Sequence, residues 1–220
     1  MRIKRSILLL FALTALFLLG CEKETIDGNG PVQEELRSTP EFTKISTSGS
    51  TGVKIHQGNS FQVKLKGYSN LLPHFETKVV NGELRLGYAS DVSVRNDNLE
   101  VHVVMPLLTG LKISGSSEID ANGPFPAVQE STFSISGSGK MYIEEMQTNI
   151  MNAQISGSGE IFGFGLRSMN AEIDISGSGI AEVFVENQLR ANISGSGTIF
   201  YRGNPTVQST ISGSGRVIPQ

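Results

Sequence analysis

The chain has 220 residues, a net charge of −3 at pH 7 and 18 % charged residues, so it offers no basic excess to attract nucleic acid. Its 25 glycines, the absence of tryptophan and the lack of helical periodicity favour a turn-rich all-β protein. A polypeptide of this length can bury one sizeable hydrophobic core.

The first residues are typical of an export signal. Three basic residues precede an apolar run from Ile7 to Leu19, which is short for a membrane span of about 20 residues. The run ends in Leu-Leu-Gly-Cys, which resembles a bacterial lipobox. We therefore expect residues 1–20 to be a lipoprotein signal peptide and Cys21, the single cysteine, to be the lipid attachment site. The alternatives are an ordinary signal peptide and an uncleaved anchor.

The rest of the chain divides by composition. Residues 21–41 are polar and rich in turn formers, which predicts a lipidated flexible tether. One folded domain is expected over residues 42–220. We divide it into an N-terminal β section, residues 42–106, and a series of repeated coils, residues 107–220.

The N-terminal β section carries a hairpin signal. An Asn-Gly pair at residues 81–82 separates two strand-like runs and places Val79 opposite Leu84. A degenerate corner, Ser-Gly-Ser-Thr-Gly from Ser48, indicates an outlying coil or a cap. We expect this section to contain antiparallel strands and to cover the N-terminal end of the coils.

One five-residue motif, Ile-Ser-Gly-Ser-Gly, dominates the second half of the chain. It starts at Ile135, Ile155, Ile175, Ile193 and Ile211, and a sixth copy from Ile113 has Ser117 in place of the last glycine. The starts are 22, 20, 20, 18 and 18 residues apart. A fixed motif at a nearly fixed period predicts one structural unit stacked on copies of itself.

The residues around the motif alternate between apolar and polar, as in strands with one buried face. A unit of this size has nothing of its own to pack against, so we predict a single-stranded parallel β-helix with the isoleucines stacked as an internal ladder. The Gly-Ser-Gly segment is the expected corner, where serine side chains can satisfy unpaired backbone groups. The predicted corner glycines are Gly115, Gly137, Gly139, Gly157, Gly159, Gly177, Gly179, Gly195, Gly197, Gly213 and Gly215.

The lipobox, the Asn-Gly hairpin and the repeated motif together resemble the head GIN domain family, a family of auto-transporter adhesin domains common in Bacteroidetes. The resemblance covers about residues 42–217. It implies a β-helical domain exported to the cell envelope, and it supplies no catalytic residue. The expected location is the outer membrane of a Gram-negative bacterium, reached through the lipid anchor.

A column of aromatic residues gives the candidate functional surface. Tyr142, Phe162 and Phe200 each occupy the third position after a corner, and the alternation predicts that they point outward. A stripe of aromatic side chains on an outward surface is either covered by another part of the protein or serves as a binding surface. It is expected either to pack against the N-terminal section or a second copy of the chain, or to bind a glycan or a cell-surface protein.

Catalytic and metal-binding interpretations are weaker. Six equivalent motif serines cannot all be nucleophiles, and the three histidines do not have metal-ligand spacing. Asp120 and Glu182 share the column of the aromatic residues but are separated within it. We therefore predict no cofactor, no metal and a non-enzymatic binding or adhesion module of the envelope. The alternatives are a polysaccharide-acting enzyme on a β-helix and a self-assembling structural envelope protein.

Overall fold

A computed structural model describes residues 23–220. Within that range the chain forms nineteen strands and one 3-10 turn, Leu72–His74, and has no helix that could span a membrane. The strands are β1 (Glu24–Asp27), β2 (Val32–Arg37), β3 (Lys44–Gly49), β4 (Gly52–Gln57), β5 (Gln62–Tyr68), β6 (Phe75–Val80), β7 (Glu83–Tyr88), β8 (Val92–Arg95), β9 (Glu100–Met105), β10 (Gly110–Gly115), β11 (Glu118–Asn122), β12 (Val128–Gly137), β13 (Lys140–Ile143), β14 (Met146–Gly157), β15 (Glu160–Gly177), β16 (Ile180–Gly195), β17 (Thr198–Arg202), β18 (Thr206–Gly213) and β19 (Arg216–Pro219).

The repeated region winds as a parallel β-helix, which confirms the predicted fold. Each coil has a pre-corner strand that runs into the Gly-Ser-Gly corner and a post-corner strand that leaves it. The pre-corner strands pair in parallel in the order β3, β10, β12, β14, β15, β16, β18. The post-corner strands pair in the order β4, β11, β13, β15, β16, β17, β19. The long strands β15 and β16 serve two coils each, because they leave one corner and continue into the next.

The motif isoleucines form the internal ladder. Each is in register with the next, in the order Ile113, Ile135, Ile155, Ile175, Ile193, Ile211. The first five are at most 2 % exposed, whereas Ile211 is 42 % exposed because its coil is the last one described. Burial of each full isoleucine side chain contributes about 1.5–3 kcal/mol, so the ladder is a main source of stability.

The first glycine of each corner is required by backbone conformation. These glycines have φ between +116° and +125° in the six motif copies and +91° at Gly49 in the degenerate corner, a region that residues with a Cβ rarely adopt. A Cβ at Gly157 would also overlap the carbonyl oxygen of Gly137 in the preceding coil. That oxygen accepts a 2.9 Å hydrogen bond from the Ser158 amide. At the corner, backbone groups of adjacent coils therefore form hydrogen bonds with each other. The sequence had suggested that serine hydroxyls would satisfy these backbone groups.

The second glycine is required by close packing instead. A Cβ at Gly159 would overlap the Cγ2 atom of Ile135 in the preceding coil. The exception in the sequence, Ser117, follows the one coil in which the ladder position holds Thr47 instead of isoleucine. The two hydroxyls are 3.4 Å apart and both side chains are buried. The sixth motif copy therefore differs because its neighbour in the preceding coil differs.

The N-terminal β section continues the winding, although not in chain order. Strands β7 and β9 pair in parallel outside β3 and β4 and form the outermost coil. Antiparallel strands then cover this end: β6 on β7, β5 on β9 and β2 on β5. The predicted hairpin is present, with Val79 opposite Leu84 and positive φ values at Asn81 and Gly82. One core extends from Phe42 in this section to Ile199 in the coils.

The prediction of a flexible tether over residues 21–41 is wrong for its described part. Strand β1 pairs in parallel with β8, and β2 pairs with β5. Asn70 fixes the turn between them, because its side chain accepts from the Asn29 amide at 2.9 Å and donates to the Asp27 carbonyl at 2.8 Å. These strands are held by backbone pairing and bury little apolar surface, so composition does not reveal them. The predicted signal peptide and Cys21 lie outside the described residues.

Candidate binding face

The post-corner strands place the predicted aromatic residues on one outward column. Their inward neighbours, such as Met141, Ile161 and Ile199, are fully buried, so the next residue along each strand points outward. The column, in register from coil to coil, is Asp120, Tyr142, Phe162, Glu182, Phe200, Ile218. The structure therefore brings Tyr142 next to Phe162 and separates Phe162 from Phe200 by one carboxylate.

Tyr142 and Phe162 stack on each other. Their ring centroids are 4.7 Å apart and the ring planes differ by 10°. This distance matches the strand spacing of about 4.8 Å, so the stack follows from the register of β13 and β15. Each ring covers one face of the other, which leaves this pair less ring surface for a ligand than two separate aromatic residues would offer.

Two further phenylalanines extend the aromatic surface, and the sequence reasoning missed them. Phe164 and Phe184 lie two residues beyond the column, and both are half-buried. The Arg202 guanidinium lies 4.0 Å from the centroid of Phe164, and the Arg167 guanidinium lies 4.3 Å from that of Phe184. Continuing the alternation by one more outward position would have found both phenylalanines. The register shift between Gly163 and Arg167, which brings Arg167 beside Phe184, has no sequence signal.

We call this surface the aromatic face. Its residues are Tyr142, Phe162, Phe164, Arg167, Glu182, Phe184, Phe200 and Arg202. Desolvation raises the pKa of the Glu182 carboxyl above its ordinary value, and the positive charge of Arg202 opposes that effect. Arg167 contacts Glu186 at 3.8 Å, while no carboxylate within residues 23–220 lies within 4.0 Å of Arg202. The face therefore combines apolar rings with a guanidinium that lacks a close ion-pair partner.

The N-terminal section does not cover the aromatic face. The order of post-corner strands is β9, β4, β11, β13, β15, β16, β17, β19, and the antiparallel strands β5 and β2 continue outward from β9. The aromatic face begins at β13, on the other side of β4 and β11. Of the two coverings expected from the sequence, a second copy of the chain is the one that this topology leaves open.

The carboxylates of the column do not form a catalytic pair. Asp120 and Glu182 are three coils apart, which at about 4.8 Å per strand is about 14 Å along the axis. Glycoside hydrolysis requires two carboxyl groups about 5–9.5 Å apart. The motif serines are spread over successive corners. Within the described residues, no three His, Cys, Asp or Glu side chains are grouped closely enough to hold a metal ion.

A second outward surface lies on the pre-corner strands. It is a shallow depression of about 610 Å³, and its outward lining residues are Gln154, Ser156, Asp174, Ser176, Asn192, Ser194, Thr210 and Ser212. The Asn192 amide donates a 2.8 Å hydrogen bond to Asp174 across adjacent coils. The outward side chains of this depression are polar, and it lacks the aromatic side chains of the post-corner strands. The two outward sides of the helix therefore differ in chemistry although their inner sides are alike.

The sequence profile of the family described as "putative auto-transporter adhesin, head GIN domain" matches residues 41–205. The chain belongs to this family. The resemblance read from the lipobox, hairpin and motif is thereby confirmed. No curated protein matches the chain in sequence.

Solved structures share the head GIN fold over nearly the whole chain. A putative adhesin from Bacteroides fragilis has a TM-score of 0.72 at 18 % identity, covering 89 % of this chain and all of its own. A putative lipid binding protein from Parabacteroides distasonis has a TM-score of 0.62 at 21 % identity, covering 90 % and 100 %. A putative adhesin from Parabacteroides merdae has a TM-score of 0.56 at 21 % identity, covering 90 % and 99 %. At these identities the likeness establishes the fold.

Proposed function

We propose that this head GIN protein is a non-enzymatic adhesion module of the cell envelope, anchored by lipid on Cys21, that binds its ligand through the aromatic face. The carrying observation is the outward, half-buried cluster of five aromatic side chains with two stacked guanidiniums. A group of outward apolar side chains that stays partly exposed is typical of interaction sites, and aromatic and arginine side chains dominate binding energy at interfaces. The family description as an adhesin supports the same role.

The start of β1 supports a close membrane attachment. β1 begins at Glu24, three residues after Cys21. Three extended residues span at most about 11 Å, so a lipid on Cys21 would hold the β1–β8 ribbon near the bilayer surface. A protein with the long tether that the sequence suggested would not be restrained in this way.

The position of the aromatic face fits such an attachment. β8 lies between β7 and β9 in the outermost coil, so the anchor attaches at the N-terminal end of the helix. The aromatic face begins three strands beyond β9 and ends six strands beyond it, which is about 14–29 Å along the axis. The face therefore lies in the half of the helix away from the anchor, where a ligand outside the membrane can reach it.

A binding assay tests the role of the face. Residues 23–220, which contain every described strand, are screened on a glycan array and against envelope extracts, with their oligomeric state measured by light scattering. The Phe162→Ser and Phe200→Ser double variant should keep the fold by circular dichroism and lose binding. Ile150→Ser with Met169→Ser is the matched control, because both side chains are exposed and apolar but lie outside the face. If the double variant binds as the parent does, the face is not the ligand site. If it loses a dimer instead, the face is a self-association surface.

The anchor is tested separately in cells. Full-length protein should partition with the outer membrane and carry a labelled fatty acid, and Cys21→Ala should abolish the labelling. Membrane partition that persists unchanged in unlabelled Cys21→Ala would contradict a lipid anchor at this residue.

A further inference from the structure

The C-terminal end of the aromatic face combines three different chemical groups. Phe200 and Arg202 alternate along β17, so their side chains leave the same side of the strand. Glu182 is in direct register with Phe200 on the neighbouring strand β16. An aromatic ring, a guanidinium and a carboxylate are thus placed next to one another on adjacent strands.

Phe200 differs from the other rings of the face. Tyr142 and Phe162 cover each other, and Phe164 and Phe184 each carry a guanidinium. Within residues 23–220, Phe200 has neither a ring nor a guanidinium stacked on it, and the side chain is half-buried. Its neighbours in the column are Glu182 and Ile218, so the part of the ring that these two side chains leave exposed is available to a ligand.

The Arg202 side chain contacts an aromatic ring, but no carboxylate within residues 23–220 forms an ion pair with it. Its guanidinium carbon lies 4.0 Å from the centroid of the Phe164 ring, and within residues 23–220 its N–H groups donate no side-chain hydrogen bond. A planar guanidinium with free edges binds a carboxylate through two parallel hydrogen bonds. Glu182 is close enough for the charge of Arg202 to affect its pKa, and its oxygens can accept hydrogen bonds.

We propose that Phe200, Arg202 and Glu182 form a subsite for a uronic acid unit of an acidic polysaccharide. The C–H face of the sugar packs on Phe200, its carboxylate pairs with Arg202, and a ring hydroxyl donates to Glu182. This inference rests on the proposed function, because it names the ligand class of the same face. The remaining rings extend the subsite toward β13, along which further units of the polysaccharide can lie.

Glu182 favours a polysaccharide over an acidic peptide. The side chains of an acidic peptide bring carboxylates but no hydroxyl donors, so they offer Glu182 no hydrogen bond to offset the charge repulsion. A uronic acid unit brings one carboxylate surrounded by hydroxyl groups, so it can satisfy Arg202 and Glu182 together. Its apolar C–H face also matches the exposed part of the Phe200 ring, which an acidic side chain does not.

The test is calorimetric titration of residues 23–220 with oligogalacturonate, a neutral galactan oligomer of the same length and a poly-glutamate peptide. Oligogalacturonate should bind best. Arg202→Gln should weaken oligogalacturonate binding about tenfold or more, since a charge-assisted pair is lost. The affinity of Arg202→Lys should lie between those of the parent and Arg202→Gln. Phe200→Leu keeps the apolar volume but removes the ring, and should weaken binding severalfold. Arg190→Gln is the matched control, because Arg190 is an exposed arginine on the pre-corner side.

The proposal is overturned if Arg202→Gln binds oligogalacturonate as the parent does, or if Arg190→Gln causes an equal loss. Galactan binding as tight as oligogalacturonate binding also overturns it, because charge would then not matter. Poly-glutamate binding as tight as oligogalacturonate binding overturns it as well, because the partner would then be a protein. If no oligogalacturonate binds while the Phe162→Ser and Phe200→Ser variant still abolishes adhesion, the subsite is wrong and the adhesion function stands. If that variant leaves adhesion intact, the proposed function itself fails.

Discussion

The pairing of Thr47 with Ser117 predicts that the second motif glycine and the ladder isoleucine of the preceding coil are energetically coupled. Gly159 packs against Ile135 so closely that an added Cβ would overlap the Cγ2 atom. Gly159→Ser should therefore destabilise the protein by about 1–3 kcal/mol through overpacking. Ile135→Thr alone should cost about 2–4 kcal/mol, because the core loses apolar volume and gains an unpaired buried hydroxyl.

The double variant recreates the native arrangement of Thr47 and Ser117 two coils further along. Threonine at 135 removes the overlap, and the two hydroxyls can approach each other as they do at 3.4 Å in the native pair. The double variant should therefore be more stable than the sum of the single effects by about 1–3 kcal/mol, a coupling typical of residues in direct contact.

Urea unfolding of residues 23–220, followed by circular dichroism, measures the four free energies of the cycle. The matched control combines Ile135→Thr with Gly179→Ser, because Gly179 packs against Ile155 rather than Ile135. The control pair should be additive within about 0.5 kcal/mol. An additive result for the 135/159 pair, or equal coupling in the control, would refute the steric explanation of the motif.

Three further measurements test other parts of the fold. In urea unfolding, Gly157→Ala should destabilise the protein by about 1–3 kcal/mol, because φ is +116° at this position. Gly52→Ala should cost under about 1 kcal/mol, because Gly52 has no positive φ and there is open space where its Cβ would lie. Ile175→Ala should cost about 2–5 kcal/mol and Ile211→Ala much less in the same assay, since Ile211 is 42 % exposed; equal costs would contradict the open final coil. The raised pKa of Glu182 means that the folded state binds this proton more readily than the unfolded state, so the free energy of unfolding should fall as pH rises from about 4.5 through the folded pKa. Glu182→Gln should flatten that fall in urea titrations across pH, and an unchanged slope would show that the carboxyl is not desolvated.

The winding and its ladder were predictable because they depend on side-chain volume and period, both of which are written in the sequence. Ile155 must be apolar and Gly157 must lack a side chain, so the residue types of the motif indicate which positions are in the core and which are at the corner. The Asn-Gly hairpin was predictable for the same reason, since its turn requires positive φ at Asn81 and Gly82.

What the sequence did not reveal depends on backbone pairing between distant segments. β1 and β2 are polar strands whose stability comes from hydrogen bonds to β8 and β5, and no side-chain pattern marks such pairing. The placement of β7 and β9 outside β3 and β4 is likewise set by pairing between residues 39 apart (Lys44 with Glu83) and 48 apart (Gly52 with Glu100) in the sequence. On the aromatic face, Arg202 was missed because its role comes from a contact with Phe164 across coils.

The two glycines and the isoleucine of the motif are fixed by backbone conformation and core packing. These three positions therefore cannot give one coil a binding role that another coil lacks. The outward positions carry no such constraint. Most of them hold the polar residues that a solvent-facing strand requires, as in the depression lined by Gln154 and Asn192. Phenylalanines at outward positions 162, 164, 184 and 200 leave part of their apolar surface exposed to water, which polar residues at these positions would avoid. Their grouping on one side, in the half of the helix away from the expected anchor, therefore points to a surface that is covered when the protein acts.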